Sequence, residues 1–133
     1  MSELVVLDAS AGIEIVLRTA RGEGLLALLE SRDALVIAPS HFLVEGAGAL
    51  RRLERSGEVN QDRARFAIAR LTQLVMPAAL DDLIVEAWAL RDNLTIADAL
   101  YVVLARRTGA ALMTTDDRML GAPGLDDIPV VRS

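Results

Sequence analysis

Short apolar runs that alternate with helical segments constrain the fold of this chain more than any other feature of its sequence. The runs at residues 3–7, 34–39 and 110–115 are rich in Leu, Val, Ile and Ala, which predicts buried strands. Strands that alternate with helices favour a parallel sheet covered by helices on both faces. We therefore expect a Rossmann-like α/β fold with three layers, α/β/α. A first helix is expected directly after residue 8, further helices over 22–29, 41–55, 60–74, 80–91 and 96–107, and shorter strands at 75–77 and 128–131.

Capping residues set several of the predicted helix boundaries. Ser40 is predicted to cap the helix over 41–55, and Thr95 the helix over 96–107. Gly109 is predicted to end the second of these helices, because glycine readily adopts the left-handed conformation that follows a helix. The centre of that helix, 99–105, carries no charge, so we expect it to be buried nearly all round.

Length and composition favour one domain and exclude several classes of chemistry. The chain has 133 residues, so we expect residues 1–133 to form a single domain. It has no cysteine, which excludes disulfides and thiolate metal sites, and its one histidine, His41, excludes a multi-histidine zinc site. All 14 basic residues are arginine, so a phosphate-binding loop that depends on lysine is also excluded.

The charge and the terminus of the chain predict a cytoplasmic protein. The net charge of −5 does not by itself indicate nucleic-acid binding. No apolar run approaches the roughly 20 residues of a membrane-spanning helix, and the apolar stretch at the start is too short for a signal peptide. We therefore expect no membrane association.

Four acidic residues are placed where the predicted topology brings them together. Asp8 and Asp116 follow strands, Asp98 opens the apolar helix, and Glu45 lies in the helix after the second strand. In such sheets the ligand site lies beyond the carboxyl ends of the strands. Taken singly, each has an ordinary alternative: Asp8, Asp98 and Asp116 can cap helices or turns, and Glu45 can be a solvated helix residue.

The four acids together point to a metal site. A carboxylate at the mouth of an apolar helix is costly unless it is paired or binds a cation, and Asp98 shares its helical face with Val102 and Ala105. Oxygen ligands without histidine or cysteine suit Mg²⁺ or Mn²⁺. The chemistry that fits such a site is phosphoryl transfer or phosphodiester cleavage.

Several segments in order resemble the PIN-domain ribonucleases, and within them the VapC-type toxins of toxin–antitoxin pairs. The resemblance covers nearly the whole chain. Its segments are Val-Val-Leu-Asp-Ala-Ser at 5–10, Ala-Pro at 38–39, Glu45 with Ala-Leu-Arg-Arg at 49–52, Ala-Asp-Ala-Leu-Tyr-Val-Val-Leu-Ala at 97–105, and Leu-Met-Thr-Thr-Asp at 112–116.

The resemblance implies a Mg²⁺-dependent endoribonuclease that inhibits translation or growth, with Mn²⁺ as a substitute metal. It places the family's acidic quartet on Asp8, Glu45, Asp98 and Asp116. The neighbouring hydroxyls are Ser10 and Thr114, Asp117 is an additional acid, and Arg51, Arg52 and Arg55 are candidates to contact RNA phosphates, each with a solvated helix face as the alternative.

The resemblance also implies protein partners. Members form homodimers and are silenced by a small antitoxin of the VapB type, and Phe42, Phe66 and Trp88 are candidate interface anchors, with a place in the core as the alternative. The chain departs from its relatives at two positions. It has Ala97 where they often have an aromatic residue before the third acid, and Gly48 where they often have asparagine.

Three other functions stay open at this point. A housekeeping RNA-processing nuclease of the same fold has the same residues as a toxin. A receiver-type phosphoacceptor domain also gathers carboxylates at strand ends, but the absence of lysine argues against it. A binding module that has lost catalysis is the third, and the presence of all four acids argues against that one.

Overall fold

The computed structural model describes residues 2–132 and places a five-stranded parallel sheet at the centre of the chain. The strand order is β3-β2-β1-β4-β5. The elements are β1 (Glu3–Leu7), α1 (Ala9–Val16), α2 (Ala20–Ser31), β2 (Ala34–Pro39), α3 (Phe42–Arg55), α4 (Gln61–Leu74), β3 (Met76–Ala78), α5 (Ile84–Trp88), α6 (Ile96–Thr108), β4 (Ala111–Met113), α7 (Asp117–Leu120) and β5 (Val130–Val131).

Helices cover both faces of the sheet, which confirms the predicted α/β fold. Val5, Val6 and Leu7 are all fully buried, and because successive strand residues face opposite sides, both faces of β1 are covered. Val5 lies opposite Val36 in β2 and Ala111 in β4, so β1 is the central strand. The chain runs outward from β1 to β3 and then crosses back to β4. Right-handed crossovers therefore place α1–α4 on one face and α5 and α6 on the other.

The helix boundaries follow the predicted caps, with one exception. The Thr95 side chain accepts a hydrogen bond from the Asp98 N–H at the start of α6, and Gly109 ends that helix in the left-handed conformation with φ of 70°. The prediction for Ser40 is wrong, since the N-cap of α3 is His41, which makes no side-chain cap bond. The Ser40 N–H instead donates to the Ala78 carbonyl, 2.8 Å away, which ties this turn to the end of β3.

The helix predicted over 80–91 is shorter than its apolar spacing suggested. Only α5 is regular helix, and tighter turns lie on both sides of it. The Leu83 N–H bonds to the Leu80 carbonyl and the Arg91 N–H to the Trp88 carbonyl, both over three residues. This tighter hydrogen bonding cannot be continued over many residues, so the segment does not form one long α-helix.

Two strands are also shorter than predicted. The strand expected over 110–115 ends as β4 at Met113, because the N–H groups of Thr115 and Asp116 bond to side-chain hydroxyls instead of a neighbouring strand. The strand expected over 128–131 is reduced to β5, and Pro129, which has no N–H to donate, precedes it.

The three candidate aromatic anchors have different environments. Phe42 is fully buried, and its ring packs against α1 at Gly12, where an added Cβ would lie 2.8 Å from the ring. Its assignment as an interface anchor is therefore wrong. Phe66 is 70% exposed and Trp88 is 60% exposed, so both are available to a partner. Within residues 2–132, no helix is both long and apolar enough to cross a membrane.

Candidate active site

Asp8 stands beyond the carboxyl end of β1, where the strand order of the sheet reverses and a crevice opens. The side chain is 4% exposed. Its Oδ2 atom accepts hydrogen bonds from Ser10 Oγ and Thr114 Oγ1, both at 2.7 Å. Asp8 occupies the N-cap position of α1 but makes no side-chain cap bond, so capping does not account for it.

Backbone N–H groups support the two hydroxyls that bind Asp8. The Thr115 N–H donates to Ser10 Oγ at 3.1 Å, and the Asp116 N–H donates to Thr114 Oγ1 at 3.0 Å. Each hydroxyl thus accepts one bond and donates its own proton to the carboxylate, an arrangement that strengthens both bonds. Among residues 2–132 both donors go to Oδ2, which leaves Oδ1 of Asp8 available to another ligand.

Glu45 lies one turn into α3, and a tyrosine from the opposite layer holds it. The Tyr101 hydroxyl donates to Glu45 Oε1 at 2.7 Å, and His41 Nε2 lies 3.4 Å from the same oxygen. Burial, followed by the hydrogen bond to Glu45, raises the pKa of Tyr101, so the phenol keeps its proton and remains a donor. Glu45 is therefore held in place by Tyr101 and is not an ordinary solvated helix residue.

Asp98 is the half-buried third residue of α6. Burial is the main cause that raises the pKa of its carboxyl above the ordinary value. The negative charge of Asp8 is the second cause, and the charges of Asp116 and Glu45 raise the pKa further. The hydrogen bond with Thr95 lowers it. The carboxylates thus repel one another, which shows that they lie near a common volume.

The raised pKa of Asp98 predicts a pH dependence of stability in the absence of divalent cations. The folded protein binds this proton more tightly than the unfolded chain, whose carboxyl titrates near 3.8. The stabilising contribution is therefore present below that pH and is lost as the pH rises through the raised pKa. Because Asp98 is half-exposed, solvent screening reduces the effect of its charge on stability. We therefore expect Asp98→Asn to be a few tenths to about 1 kcal/mol more stable than wild type at pH 7.

Urea unfolding in EDTA at several pH values measures this difference. The advantage of Asp98→Asn should shrink as the pH falls toward 3.8. A difference that is independent of pH, or one that favours the wild type at pH 7, would contradict the raised pKa of Asp98.

Asp116 pairs with Arg118, an arginine that was not predicted as part of the site. Asp116 Oδ1 accepts from the Arg118 backbone N–H at 3.0 Å and so caps the short helix α7, as the alternative interpretation of this residue proposed. Its Oδ2 atom accepts from Arg118 Nη2 at 3.2 Å. This bond and the charge of Asp116 raise the pKa of Arg118, whose side chain is 80% exposed. The only signal in the sequence was an arginine two residues after an acid.

One cavity of about 410 Å³ brings the four predicted acids together. Arg52 also lines it, beside Gly48, where an added Cβ would lie 3.6 Å from the Arg52 guanidinium. Among residues 2–132, Asp117, Arg51 and Arg55 lie outside this lining, and Arg51 lines a separate cavity between α3 and α4. The lining comprises Asp8, Ala9, Ser10, Ile13, Glu14, Glu45, Ala49, Arg52, Asp98, Thr115, Asp116 and Arg118.

The side chains around this cavity fit a hard divalent cation. Five carboxylates line the cavity: the four predicted acids and Glu14, which was not predicted. They offer oxygen ligands, the type that Mg²⁺ and Mn²⁺ prefer, and a cation would offset the repulsion among the four predicted acids. In residues 2–132 no three acidic or histidine side chains form a closed metal cage in the present rotamers. Glu45 is hydrogen-bonded to Tyr101 and Asp116 to Arg118, so these two carboxylates do not converge on one point. The side chains thus supply the ligand types that a hard divalent cation needs, without a complete coordination shell.

Comparison with known proteins identifies the family to which this chain belongs. The PIN domain family matches residues 5–125, so the chain belongs to the PIN-domain family. The fold is similar to the crystal structure of PAE2754 from Pyrobaculum aerophilum, with a TM-score of 0.66 and 23% identity over 90% of this chain and 78% of that one. It is also similar to VapBC2 from Rickettsia felis, a structure bound to a promoter DNA fragment, with a TM-score of 0.63 and 12% identity over 97% of this chain and 98% of that one.

Curated relatives from Mycobacterium tuberculosis narrow the class to the VapC-type nucleases, which are hydrolases. Ribonuclease VapC3 is 38% identical and covers 90% of this chain and 88% of its own length. Ribonuclease VapC1 is 39% identical over 96% and 92%, and Ribonuclease VapC12 is 34% identical over 91% and 93%. PIN-domain nucleases generally use divalent metal ions, which agrees with the oxygen ligands of the cavity.

Proposed function

We propose that this chain is a Mg²⁺-dependent endoribonuclease that acts as the toxin of a toxin–antitoxin pair and inhibits translation or growth. The observation that carries the proposal is the placement of all four predicted acids around one cavity, in a chain that belongs to the PIN-domain family. The names of its relatives from M. tuberculosis, each a ribonuclease of the VapC type, support RNA as the substrate.

The four acids are proposed as the metal ligands and catalytic residues: Asp8, Glu45, Asp98 and Asp116. A divalent cation bound by them supplies a Lewis acid for the scissile phosphate and lowers the pKa of the attacking water. Ser10 and Thr114 orient Asp8 through their hydroxyls. Mg²⁺ is the proposed ion, and Mn²⁺ the substitute, because both are hard cations that bind carboxylates.

Arg52 and Arg118 are proposed to contact RNA phosphates at the cavity. The chain carries a net charge of −5, so binding of a polyanion needs local positive groups next to the acids. Both guanidiniums line the cavity, and both belong to exposed residues. Arg51 and Arg55 lie outside this lining, so of the three arginines expected from sequence only Arg52 stays in the proposal.

Arg52→Gln is expected to raise KM for RNA about tenfold with little change in kcat, because one charge-assisted contact worth about 1.4 kcal/mol is lost. The loss should be similar for different RNA sequences, since phosphate contacts do not read bases. Steady-state cleavage of a labelled RNA measures it. Arg51→Gln is the matched control, because the neighbouring arginine lines a different cavity. Equal effects of the two substitutions would contradict the assignment of Arg52.

Protein partners belong to the same proposal. We propose a VapB-type antitoxin as the inhibitor of this chain, supported by the similarity of its fold to VapBC2. We also propose a homodimer and a single domain over 1–133. Val85 and Trp88 are exposed one turn apart on α5, and Phe66 is exposed on α4 at the other face of the sheet. These apolar side chains are available to such interfaces.

Purified protein, freed of any antitoxin and incubated with a cellular RNA pool, tests the proposed activity. Discrete fragments should form with Mg²⁺ or Mn²⁺ and disappear with EDTA. Induced expression should arrest growth, and co-expression of the proposed VapB-type antitoxin should relieve the arrest. Cleavage without growth arrest would favour an RNA-processing role. A folded protein that cleaves nothing with either metal would overturn the nuclease proposal.

A further inference from the structure

Two of the proposed ligands lie on helices that belong to different layers of the fold. Glu45 is on α3, which packs mainly against α1 and α4. Asp98 is on α6, which packs mainly against α5 and the strands β1, β2 and β4. Because the sheet separates the two layers, the distance between Glu45 and Asp98 depends on whatever joins α3 to α6 at this edge.

Two side-chain hydrogen bonds join α3 to α6 beside the cavity. His41 Nε2 lies 2.8 Å from the carbonyl oxygen of Ala97, the residue directly before Asp98. The Tyr101 hydroxyl donates to Glu45 Oε1 at 2.7 Å. The two rings also pack on each other, with their centroids 4.7 Å apart and their planes inclined at 44°. The His41 bond ends at the residue next to Asp98, and the Tyr101 bond ends on Glu45 itself. His41 in turn lies one helical turn before Glu45.

The Nε2 proton is the distinctive contribution of histidine at position 41. A carbonyl oxygen only accepts hydrogen bonds, so Nε2 is the donor to Ala97. The same nitrogen lies 3.4 Å from Glu45 Oε1. In contrast, Nδ1 is buried without a hydrogen-bond partner among residues 2–132, which is unfavourable. A hydrocarbon ring would fill this space without the unpaired nitrogen but would leave Ala97 without its donor.

We propose that His41 is a positioning residue that fixes the start of α6, and with it Asp98, relative to Glu45. It acts through the Ala97 carbonyl and through packing on Tyr101, and it touches neither substrate nor metal. The proposal rests on the proposed function, since it assigns the histidine a role in the geometry of that metal site. The predicted consequence is a defect in metal affinity and turnover with substrate binding preserved.

Mn²⁺ titration by calorimetry and steady-state RNA cleavage test His41→Phe, which keeps a ring against Tyr101 and removes the Nε2 donor. Loss of an outer partner of a metal ligand should weaken Mn²⁺ binding about tenfold and lower kcat by a similar factor. KM for RNA should stay within about twofold, since Arg52 and Arg118 are untouched. His41→Gln, whose side-chain amide can donate to the Ala97 carbonyl, should recover most of the Mn²⁺ affinity.

The controls separate positioning from folding and from the proposed function itself. Ser40→Ala changes an exposed neighbour in the same turn and should leave Mn²⁺ affinity unchanged. Wild-type Mn²⁺ affinity in His41→Phe would overturn the proposal, and so would a defect in His41→Gln as large as that in His41→Phe. If the wild type binds Mn²⁺ but cleaves no RNA, the proposed function fails, while the Mn²⁺ titrations still decide the role of His41.

Discussion

Asp98→Asn and Asp8→Asn are each expected to lower the rate of RNA cleavage at least about 100-fold. Loss of a residue that only hydrogen-bonds to a metal ligand costs up to about 100-fold, and loss of a ligand should cost at least as much. Each substitution removes one negative oxygen from the proposed ligand set and leaves the side-chain volume nearly unchanged. Both proteins should remain folded. The charges of Asp8, Asp116 and Glu45 all raise the pKa of Asp98, so removing one charge relieves repulsion.

Asp117→Asn is the matched control for these two variants. Asp117 directly follows Asp116 in sequence, but it is exposed and lies outside the lining of the acidic cavity. Its substitution changes the net charge by the same amount and should leave cleavage within about threefold, since exposed charges are screened. Initial rates at saturating RNA and metal measure all three variants. Retained cleavage in Asp98→Asn and Asp8→Asn would contradict the assignment of the active site.

Gly22→Ala is expected to cause the largest loss of stability of any single methyl addition at a glycine in the folded chain. An added Cβ at Gly22 would lie 1.9 Å from the backbone oxygen of Glu14 and 2.8 Å from the Ile15 nitrogen. The methyl group therefore meets the backbone of α1, which cannot rotate away as a side chain can. The substitution forces α1 and α2 apart, because these two helices pack on each other. It should lower the free energy of unfolding by about 3 kcal/mol or more, the upper end for overpacking.

Gly24→Ala provides the control for this prediction within the same helix. Among residues 2–132, an added Cβ at Gly24 would meet no atom within 4 Å, and the residue is exposed. Alanine here should stabilise the protein by about 0.5–1 kcal/mol, because it is the better helix former. Urea unfolding of both variants measures the difference. Similar stabilities for Gly22→Ala and Gly24→Ala would show that α1 and α2 do not pack as closely as described.

The layered architecture was predictable because it depends on patterns that are local in sequence. The apolar runs at 3–7 and 34–39 become β1 and β2 with the predicted bounds. Thr95 and Gly109 bound α6 as expected, since a capping side chain and a left-handed glycine act on their own turn. The parallel sheet then follows from the alternation of strands and helices.

Two of the wrong predictions, the strand over 110–115 and the Ser40 cap, depend on contacts with distant residues. The strand expected over 110–115 stops early because Ser10, far away in sequence, takes the N–H of Thr115. The Ser40 N–H donates to the Ala78 carbonyl at the end of β3. The Ser40 side chain therefore does not cap α3, whose N-cap is His41. Spacing along the chain carries no information about such partners.

The four acids of the candidate site and the two hydroxyls that bind Asp8 were predicted, whereas the groups that bind Glu45 and Asp116 were not. Strand ends and the start of an apolar helix were enough to select Asp8, Asp98 and Asp116, which line one cavity. The contact of Tyr101 with Glu45 was missed, because an apolar helix centre predicts a core residue and says nothing of where its hydroxyl bonds. Arg118 was missed for a similar reason, since its pairing with Asp116 depends on the turn into α7.

The central claim is that one set of carboxylates binds the metal and supports RNA cleavage. Parallel titrations of Mn²⁺ binding and of Mn²⁺-dependent RNA cleavage, in wild type and in Asp8→Asn, test it most directly. We expect the two wild-type curves to share a midpoint, and we expect Asp8→Asn to lose both binding and cleavage. Cleavage that persists in EDTA, or an Asp8→Asn protein that binds Mn²⁺ and cleaves RNA like the wild type, would contradict the claim.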